Sequence, residues 1–484
     1  MARIEALLAE YWPHFFFALS LVLGTAAAVH AAMTKHDVRA AIAWVGVVVF
    51  SPMFGPLLYF IAGVNRVRRE RRSHRRDDAE VSYFVPGGSP RELDVKPVAG
   101  PQFASLKILG DKVSVFPLTG GNAIAPLDGG DQAYPAMLQA IRRARRSIAL
   151  QTYIFDSDPV GREIAQALIE AHARGVEVRV LIDAIGSTYS RPPIHRMLTR
   201  GGVRTALFMS KVLTWRLPYA NLRSHRKILV VDAREGFTGG MNIRAGFTAA
   251  HTGGRPARDA HFRLEGPVVS QLLANFFRDW HFTTGEDLNG HQAFQAGFAP
   301  AGDVLARCVP SGPDRTLGST HDMLLGALAV AQRRVCIQSP YFLPDQPLIG
   351  ALATAARRGI QVDIVIPGTN NLRLVNYAMT AQLDQVIRTG CRVWRARGPF
   401  DHSKLLAVDG AWCYVGSSNL DPRSLRLNFE LDVELYDPAT ARWIESRIDR
   451  LIADARPETL ATLAAQPFVK RLRNRVIWLA SPYL

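Results

Sequence analysis

The sequence is short of acid. Its 484 residues hold 42 Asp and Glu against 58 Lys and Arg, a net charge of +16, which favours an anionic partner such as nucleic acid or phospholipid head groups. Cysteine is scarce as well: Cys308, Cys336, Cys391 and Cys413 form no CxxC and have no histidine at metal-ligand spacing. That speaks against a disulfide frame or a zinc site and for reduced, buried thiols in a cytosolic compartment. There is no GxxxxGK[ST] phosphate loop, no HExxH and no Rossmann glycine fingerprint, so nucleotide-driven, zinc-peptidase and dinucleotide chemistry find no support. Charge itself is missing twice. The 24 residues between Glu10 and Lys35 and the 26 between Arg39 and Arg66 contain no Asp, Glu, Lys or Arg, and each run is long enough for about 30 Å of hydrocarbon.

What is present begins with that pair of apolar runs. A cleaved leader needs a basic start and one short apolar stretch, whereas here two full-length runs adjoin across Lys35–Arg39. Residues 1–65 are expected to form a two-helix transmembrane hairpin, with Pro52, Gly55 and Pro56 tolerated in lipid and Trp12, Trp44 and Tyr59 near the interfaces. Arg66, Arg68, Arg69, Arg71, Arg72, Arg75 and Arg76 follow at once. By the positive-inside rule they hold the rest of the chain on the cytoplasmic face, and such a run can also bind anionic lipid at about 1 kcal/mol per Arg. Residues 66–103 read as a basic and then Pro/Gly-rich linker, with Pro86, Gly87, Gly88, Pro90, Pro97 and Pro101. Folded structure is expected from residue 104.

There the chain repeats itself. Ser147–Thr152 reads as a strand, Gly161–Arg174 as a helix with Ile164, Leu168 and Ala171 on one face, and Val176–Ile182 as a second strand after Gly175. The order recurs at Val335–Ser339, Pro347–Arg358, Gly359 and Gln361–Ile366. A period near 180 residues is too long for a solenoid. The expected fold is therefore α/β: two homologous lobes, 104–300 and 301–484, of mixed sheet flanked by helices about a pseudo-two-fold axis.

Each lobe carries H-x-K-x4-D-x6-G-[GS]-x-N once: His225, Lys227, Asp232, Gly239, Gly240 and Asn242, then His402, Lys404, Asp409, Gly416, Ser417 and Asn419. If HRKILVVD and HSKLLAVD are strands, their period of two sets His and Lys on one face, towards one ligand, and turns the aspartates away into structural roles. Gly240, Ser417, Asn242 and Asn419 would meet a phosphate, through backbone left open and amide donors. Only 8 of the 58 basic residues are Lys, yet both motif positions are Lys, a compact charge suited to a phosphate oxygen. Two histidines and two lysines fit phosphodiester exchange with neither metal nor cofactor. One imidazole attacks phosphorus while the other protonates the leaving alkoxide and deprotonates the incoming alcohol. Asp259 and Glu430, at comparable distances after the two motifs, are candidates to hold the second imidazole nitrogens.

With these residues, the chain resembles the phospholipase D superfamily and, within it, the bacterial cardiolipin synthases. The resemblance runs through the apolar anchor AWVGVVVFSPMFGPLLYFIAG, then GNAIAPLDGG, YIFDSDPVGREIAQAL, both motifs, RDAHFRLEGPVV, SPYFLPD and GSSNLDPRSLRLNFEL to a terminal SPYL. It implies a multi-pass enzyme of the bacterial inner membrane that converts two phosphatidylglycerols to cardiolipin and glycerol, with His225 as nucleophile and His402 as acid and base. Its partners would be anionic phospholipids and the membrane, not nucleic acid. Phosphatidylserine synthesis, plain hydrolysis and, on the same motif, a tethered nuclease are the alternatives. Two departures stand out: Ser224 occupies a position where Asn is expected, and Asp401 precedes the second histidine, where a carboxylate would make that imidazole less acidic.

Two basic segments have readings of their own. Arg142, Arg143, Arg145 and Arg146 read as a solvated helix end. In Phe468–Leu479, Phe468, Leu472, Val476 and Leu479 share one face, with Lys470, Arg471, Arg473 and Arg475 largely elsewhere. This is the pattern either of an interfacial amphipathic helix or of a helix packed on the second lobe.

Overall fold

The computed structural model describes residues 2–35, 37–63, 93–209, 222–295 and 299–481. The Arg66–Arg76 run and most of the expected linker lie outside them. The chain divides into two compact units, Met1–Arg68 and Arg69–Leu484.

In the first unit the helix Ala2–Thr34 contains His14–Thr34, 21 residues of mean hydropathy 1.9, which at 1.5 Å per residue extends about 31 Å. The second apolar run is not one continuous helix. It forms the 13-residue helix Val38–Phe50, started by Asp37 accepting the Arg39 N–H, and breaks at Ser51 before a short turn Gly55–Leu58. Pro52 has no N–H to carry the ladder on, and the chain returns so closely that a Cβ on Gly55 would sit 2.5 Å from the Val47 carbonyl oxygen. Tyr59 then packs edge-on against Trp44, and its hydroxyl lies 2.8 Å from His30 Nδ1. Phe17, Val22, Phe50 and Phe60 are left more than half exposed, a surface fitted to lipid.

Among the described residues, the second unit is built on one sheet of sixteen strands. The first lobe supplies β1 (Thr119–Asp128), β2 (Ser147–Thr152), β3 (Glu177–Asp183), β4 (Arg204–Phe208), β5 (Arg223–Ser224), β6 (Ile228–Val231), β7 (Glu235–Gly239) and β8 (Ala260–Glu265). The second supplies β9 (Val304–Ser311), β10 (Arg334–Gln338), β11 (Gln361–Pro367), β12 (Arg392–Ala396), β13 (Leu405–Val408), β14 (Trp412–Gly416), β15 (Asn428–Tyr436) and β16 (Arg456–Glu458). From the centre outwards the first lobe runs β1-β8-β7-β6-β2-β3-β4 and the second β9-β15-β14-β13-β10-β11-β12, with β16 added at the edge. The two orders are the same topology. They meet where β1 pairs antiparallel with β9, so the pseudo-two-fold axis passes through one continuous sheet. Buried Asn122 stitches this seam, its Nδ2 donating to the Val304 carbonyl (3.0 Å) and its Oδ1 accepting the Val268 N–H (2.8 Å).

The repeated βαβ units form where the apolar periodicity indicated. Their helices, Pro159–Ala173 and Gln346–Arg357, are opened by Asp158 and Asp345, whose side chains accept the Gly161 and Leu348 N–H groups. They end at Gly175 and Gly359, both left-handed at φ near +85 to +89. Parallel β2, β3 and β10, β11 are buried along nearly their whole length because helices cover both faces. On one face lie Pro159–Ala173, Gly130–Arg143, Ser319–Val330 and Gln346–Arg357; on the other, Val268–Thr284 and Pro438–Ala453 share one core across both lobes. All four cysteines are free and buried.

The expected start of folded structure at residue 104 moves. Val95, Ala99 and Phe103, read as linker, are buried, and with Leu106 they pack against Met323, Ala327 and Leu328 of the second lobe. The helix Phe103–Val113, assigned to the first lobe by sequence order, is held there by Arg307, which donates to the Lys107 carbonyl (3.1 Å) and to Asp111 (2.7 Å).

Candidate active site

Both motif histidines lie just before a strand, not within it: β6 begins at Ile228 and β13 at Leu405. What fixes them is the opposite lobe. The His225 N–H donates to the Phe429 carbonyl (2.9 Å), next to β5 pairing with β15, and the His402 N–H donates to the Arg258 carbonyl (2.8 Å). Residues 429 and 258 immediately precede Glu430 and Asp259, so each backbone tie delivers the other lobe's carboxylate to the imidazole. His225 Nδ1 is 2.9 Å from Glu430 Oε2 and 3.0 Å from the Ser417 carbonyl; His402 Nδ1 is 2.9 Å from Asp259 Oδ2. With only acceptors there, Nδ1 carries the hydrogen and Nε2 keeps its lone pair. The rings stand 6.3 Å apart, nearly perpendicular.

The lysines complete the buried cluster. Lys227 Nζ donates to the His225 carbonyl and Lys404 Nζ to the His402 carbonyl, both at 2.5 Å. Burial pushes Lys227 down to about 7 and Lys404 down to about 8. Burial, together with the lysine charges, also holds His225 well below the usual imidazole range and His402 near 4. The carboxylates differ. For Asp259, burial is outweighed by the His402 hydrogen bond and the His402 and Lys404 charges, leaving its carboxyl below the ordinary range. For Glu430, burial wins over Lys227 and the Ser417 and Asn428 hydrogen bonds, and its carboxyl is raised. Burial thus disfavours charge on all four bases although two carboxylates stand among them. A phosphate entering it favours the protonated form of every base it meets.

Asp232 and Asp409 face away from the histidines. Asp232 accepts the N–H groups of Arg145, Arg146 and Ser147, and Asp409 those of Gln332, Arg333 and Arg334, each closing the turn into β2 or β10. Gly240 and Ser417 depart from the expected phosphate cradle. A Cβ on Gly240 would lie 2.3 Å from Asp259 Oδ1, and the Ser417 hydroxyl donates to Glu430 Oε2 at 2.6 Å; both positions serve the carboxylate. Asn242 Oδ1 accepts the Ile154 N–H (3.2 Å), which orients its amide. Asn419 Nδ2 donates to Ser424 Oγ (3.2 Å), which uses one of its two N–H groups. Asp401 does not act on His402: its carboxylate pairs with Arg447 at 3.0 Å and accepts the Ser403 hydroxyl. Ser224 Oγ accepts from Gln151 Nε2 (2.8 Å).

Several residues here escaped the sequence reading. Arg226, wholly buried, bonds Asp279 (2.8 Å) and the Glu430 carbonyl (2.9 Å). Aromatic walls close the site: Tyr153 stands 5.4 Å edge-on from the His225 ring, and Tyr341 and Phe400 flank His402 at 6.3 and 5.9 Å. Alternate polar and apolar letters carry no sign of Arg226, whereas the aromatics fall at matching places after β2 and β10, where a lobe-on-lobe alignment finds Tyr153 and Tyr341 one position apart.

With this geometry in hand, the chain can be set beside known proteins. Residues 137–280 and 324–452 match the family described as cardiolipin synthase, PLD-like domain. The chain belongs to this family. Residues 22–63 match the phospholipase D-nuclease N-terminal family, so family architecture extends over the apolar helix pair too. Cardiolipin synthase A of Pseudomonas entomophila is 31% identical over 98% of this chain and 99% of its own length. Cardiolipin synthase A of Pseudomonas syringae is 32% identical over 98% and 100%. Among solved structures, phosphatidylserine synthase of Haemophilus influenzae superposes with a TM-score of 0.59 at 16% identity, covering 78% of this chain and all of that one; the likeness is one of fold.

Proposed function

We propose that the protein is a cardiolipin synthase, transferring a phosphatidyl group from one phosphatidylglycerol to the glycerol hydroxyl of another. Full-length similarity to cardiolipin synthases supports the reaction. The observation that carries the mechanism is the pair of imidazoles 6.3 Å apart, each oriented through Nδ1 by the other lobe's carboxylate. His225 Nε2 attacks phosphorus; the bond to glycerol oxygen breaks, and that oxygen takes its proton from His402 Nε2. The bound phosphate anion supplies the negative charge that lets His402 hold the proton. Glycerol departs, the second phosphatidylglycerol yields its hydroxyl proton to His402, and its oxygen displaces His225 to give cardiolipin. Lys227 and Lys404, with the Asn242 amide, stabilise charge on the equatorial oxygens. One phosphodiester replaces another, so no nucleotide is consumed.

The setting is the bacterial inner membrane, with the apolar helix pair embedded and the catalytic unit on the cytoplasmic face. Purified protein given labelled phosphatidylglycerol alone should release cardiolipin and glycerol. Phosphatidic acid as the product would instead make it a hydrolase, and DNA cleavage without lipid turnover would overturn the reading.

A further inference from the structure

The helix Phe468–Trp478 presents two faces. One packs on the helix Arg373–Ile387: Asn474 is buried, the Arg473 guanidinium stacks 3.6 Å over the Tyr377 ring, and Arg475 bonds Asp384 at 2.9 Å. The other is largely open. Phe468, Val469, Leu472, Val476 and Leu479 are 50–74% exposed, and at 3.6 residues per turn they fill one arc of roughly 100°. Arg471 and Arg475 border the arc on one side and Arg473 on the other, and the helix contains no acidic residue. Beside it a groove of about 460 Å³ runs between this helix, Leu460–Ala464 and Arg373–Ile387. Leu460, Leu463, Phe468 and Leu472 line it together with Arg388, Arg471 and Arg475. Its one carboxylate, Asp384, is already engaged by Arg475, with Arg388 at 4.0 Å.

An apolar stripe with arginine stems on both borders matches a bilayer interface. The rings and aliphatics enter the acyl boundary while the guanidiniums stay among phosphates. The groove has the same chemistry folded inwards, leucines and arginines lining it together. The helix it borders also leads to the catalytic cleft. Exposed Leu372 and Leu374 stand at its start, and neighbouring Asn371 accepts the Tyr341 hydroxyl at 2.8 Å, with the Tyr341 ring 6.3 Å from His402.

We propose that this face of the second lobe is a membrane-docking surface for anionic phospholipid, separate from the apolar helix pair and from the catalytic centre: the five apolar side chains insert at the head-group level, and the groove seats one lipid phosphate on Arg471 and Arg475. It fixes the orientation of the lobe on the bilayer.

The test uses the full chain carrying Leu472→Cys labelled with an environment-sensitive fluorophore, the native thiols being buried, in vesicles containing spin-labelled lipid. Phosphatidylcholine alone is compared with an equal mixture of phosphatidylcholine and phosphatidylserine. Docking gives a blue-shifted emission and strong quenching in the anionic vesicles, at least several-fold weaker quenching in phosphatidylcholine, and none for the same label at Glu163→Cys on the first lobe. Arg471→Gln with Arg475→Gln should abolish the anionic preference. If that double variant does not fold, about 1 M salt, where the Debye length is about 3 Å, should have the same effect. A label that stays wet and unquenched in both vesicles overturns the proposal, as does one shielded in lipid-free detergent in step with protein concentration, which would mark a contact between copies of the chain. Depth is read without turnover, so failure here leaves the catalytic reading standing.

Discussion

The two halves of the active site share a backbone and differ in their ions. In both, a histidine tied to the opposite lobe stands before a strand, its lysine folds back on its carbonyl, and an aspartate closes the turn behind. Around that frame the orienting carboxylates and the buried arginines have changed. His225 meets a glutamate with a raised carboxyl, which also takes the Ser417 hydroxyl; His402 meets an aspartate with a lowered one, packed against Gly240 where no hydroxyl exists. Between histidine and lysine the first motif has Arg226, answered by Asp279 on a covering helix. The second has Ser403, and there the arginine, Arg447, sits on the covering helix and answers Asp401. A duplicated fold has kept its geometry and redistributed its charges, which is what two different roles at one phosphorus require.

The sharpest way to separate the halves is to remove each imidazole. His225→Ala and His402→Ala should each cut transfer from phosphatidylglycerol by several orders of magnitude, because glycerol oxygen needs both nucleophile and acid. With a p-nitrophenyl phosphodiester, which leaves unaided, His402→Ala should release one nitrophenolate per site and stall, while His225→Ala gives no burst. A burst from His225→Ala alone exchanges the two roles.

Next come the carboxylates, where the crossing makes an unexpected assignment. Glu430→Gln, a second-lobe change, should slow the burst belonging to His225, and Asp259→Asn, a first-lobe change, should spare the burst and slow turnover. Each should lose about 10²- to 10⁴-fold in kcat, the range for an imidazole left with the wrong tautomer. Burst and turnover traces that follow the lobe of the mutation, not the partner across the seam, would contradict the pairing.

The buried arginines should differ in stability. Arg226→Met takes away a cation that Asp279 pairs with in a wholly buried place, and breaking such a pair costs about 3–5 kcal/mol. Arg447 shares itself between Asp401 and the part-exposed Asp128, so Arg447→Met should cost less, about 1–3 kcal/mol. Denaturant midpoints measure both, and equal losses would erase this difference between the halves.

The smallest effect has the opposite sign. Folded Lys227 and Lys404 have pKa values near 7 and 8 against 10.5 for a free side chain. The unfolded chain therefore holds more protons between those values and 10.5, and stability rises with pH in that window. Below it, each folded lysine is charged and buried at a cost. Lys227→Met should raise the free energy of unfolding at pH 6 by on the order of 1 kcal/mol, Lys404→Met by less, while both lower activity. A loss of stability in either would mean that the buried ammonium is fully compensated.

How much of this was legible follows the range of the interaction. The βαβ units, the Gly175 and Gly359 ends and the H-x-K spacing are local patterns, and a period of 2 or 3.6 reveals them. Asp259 and Glu430 stood out because they follow the motifs at comparable distances. Which carboxylate meets which histidine depends on the Thr119↔Ala306 register of the seam and on β5 meeting β15, hundreds of residues apart in places. Gly240 looked like room for phosphate because a sequence shows a missing side chain and not its neighbour, Asp259. The break at Pro52 was visible as a residue, but not its outcome, since lipid tolerates proline in helices as readily as soluble cores reject it. The helix Phe103–Val113 was misassigned because chain order places it with the first lobe while its apolar face fits the second.

The exchange of carboxylates across the seam has a consequence for how such a chain can change over generations. A repeat whose halves are self-sufficient can lose one copy, or let one decay, and keep a working remnant. Here neither copy owns a complete catalytic unit. A substitution at Glu430 is inherited as damage to His225, one at Asp259 as damage to His402, and a one-residue slip at a backbone tie disconnects the pair that tie holds. The lobes are free to diverge in the charges around the site, yet bound to each other, since neither orients its own histidine.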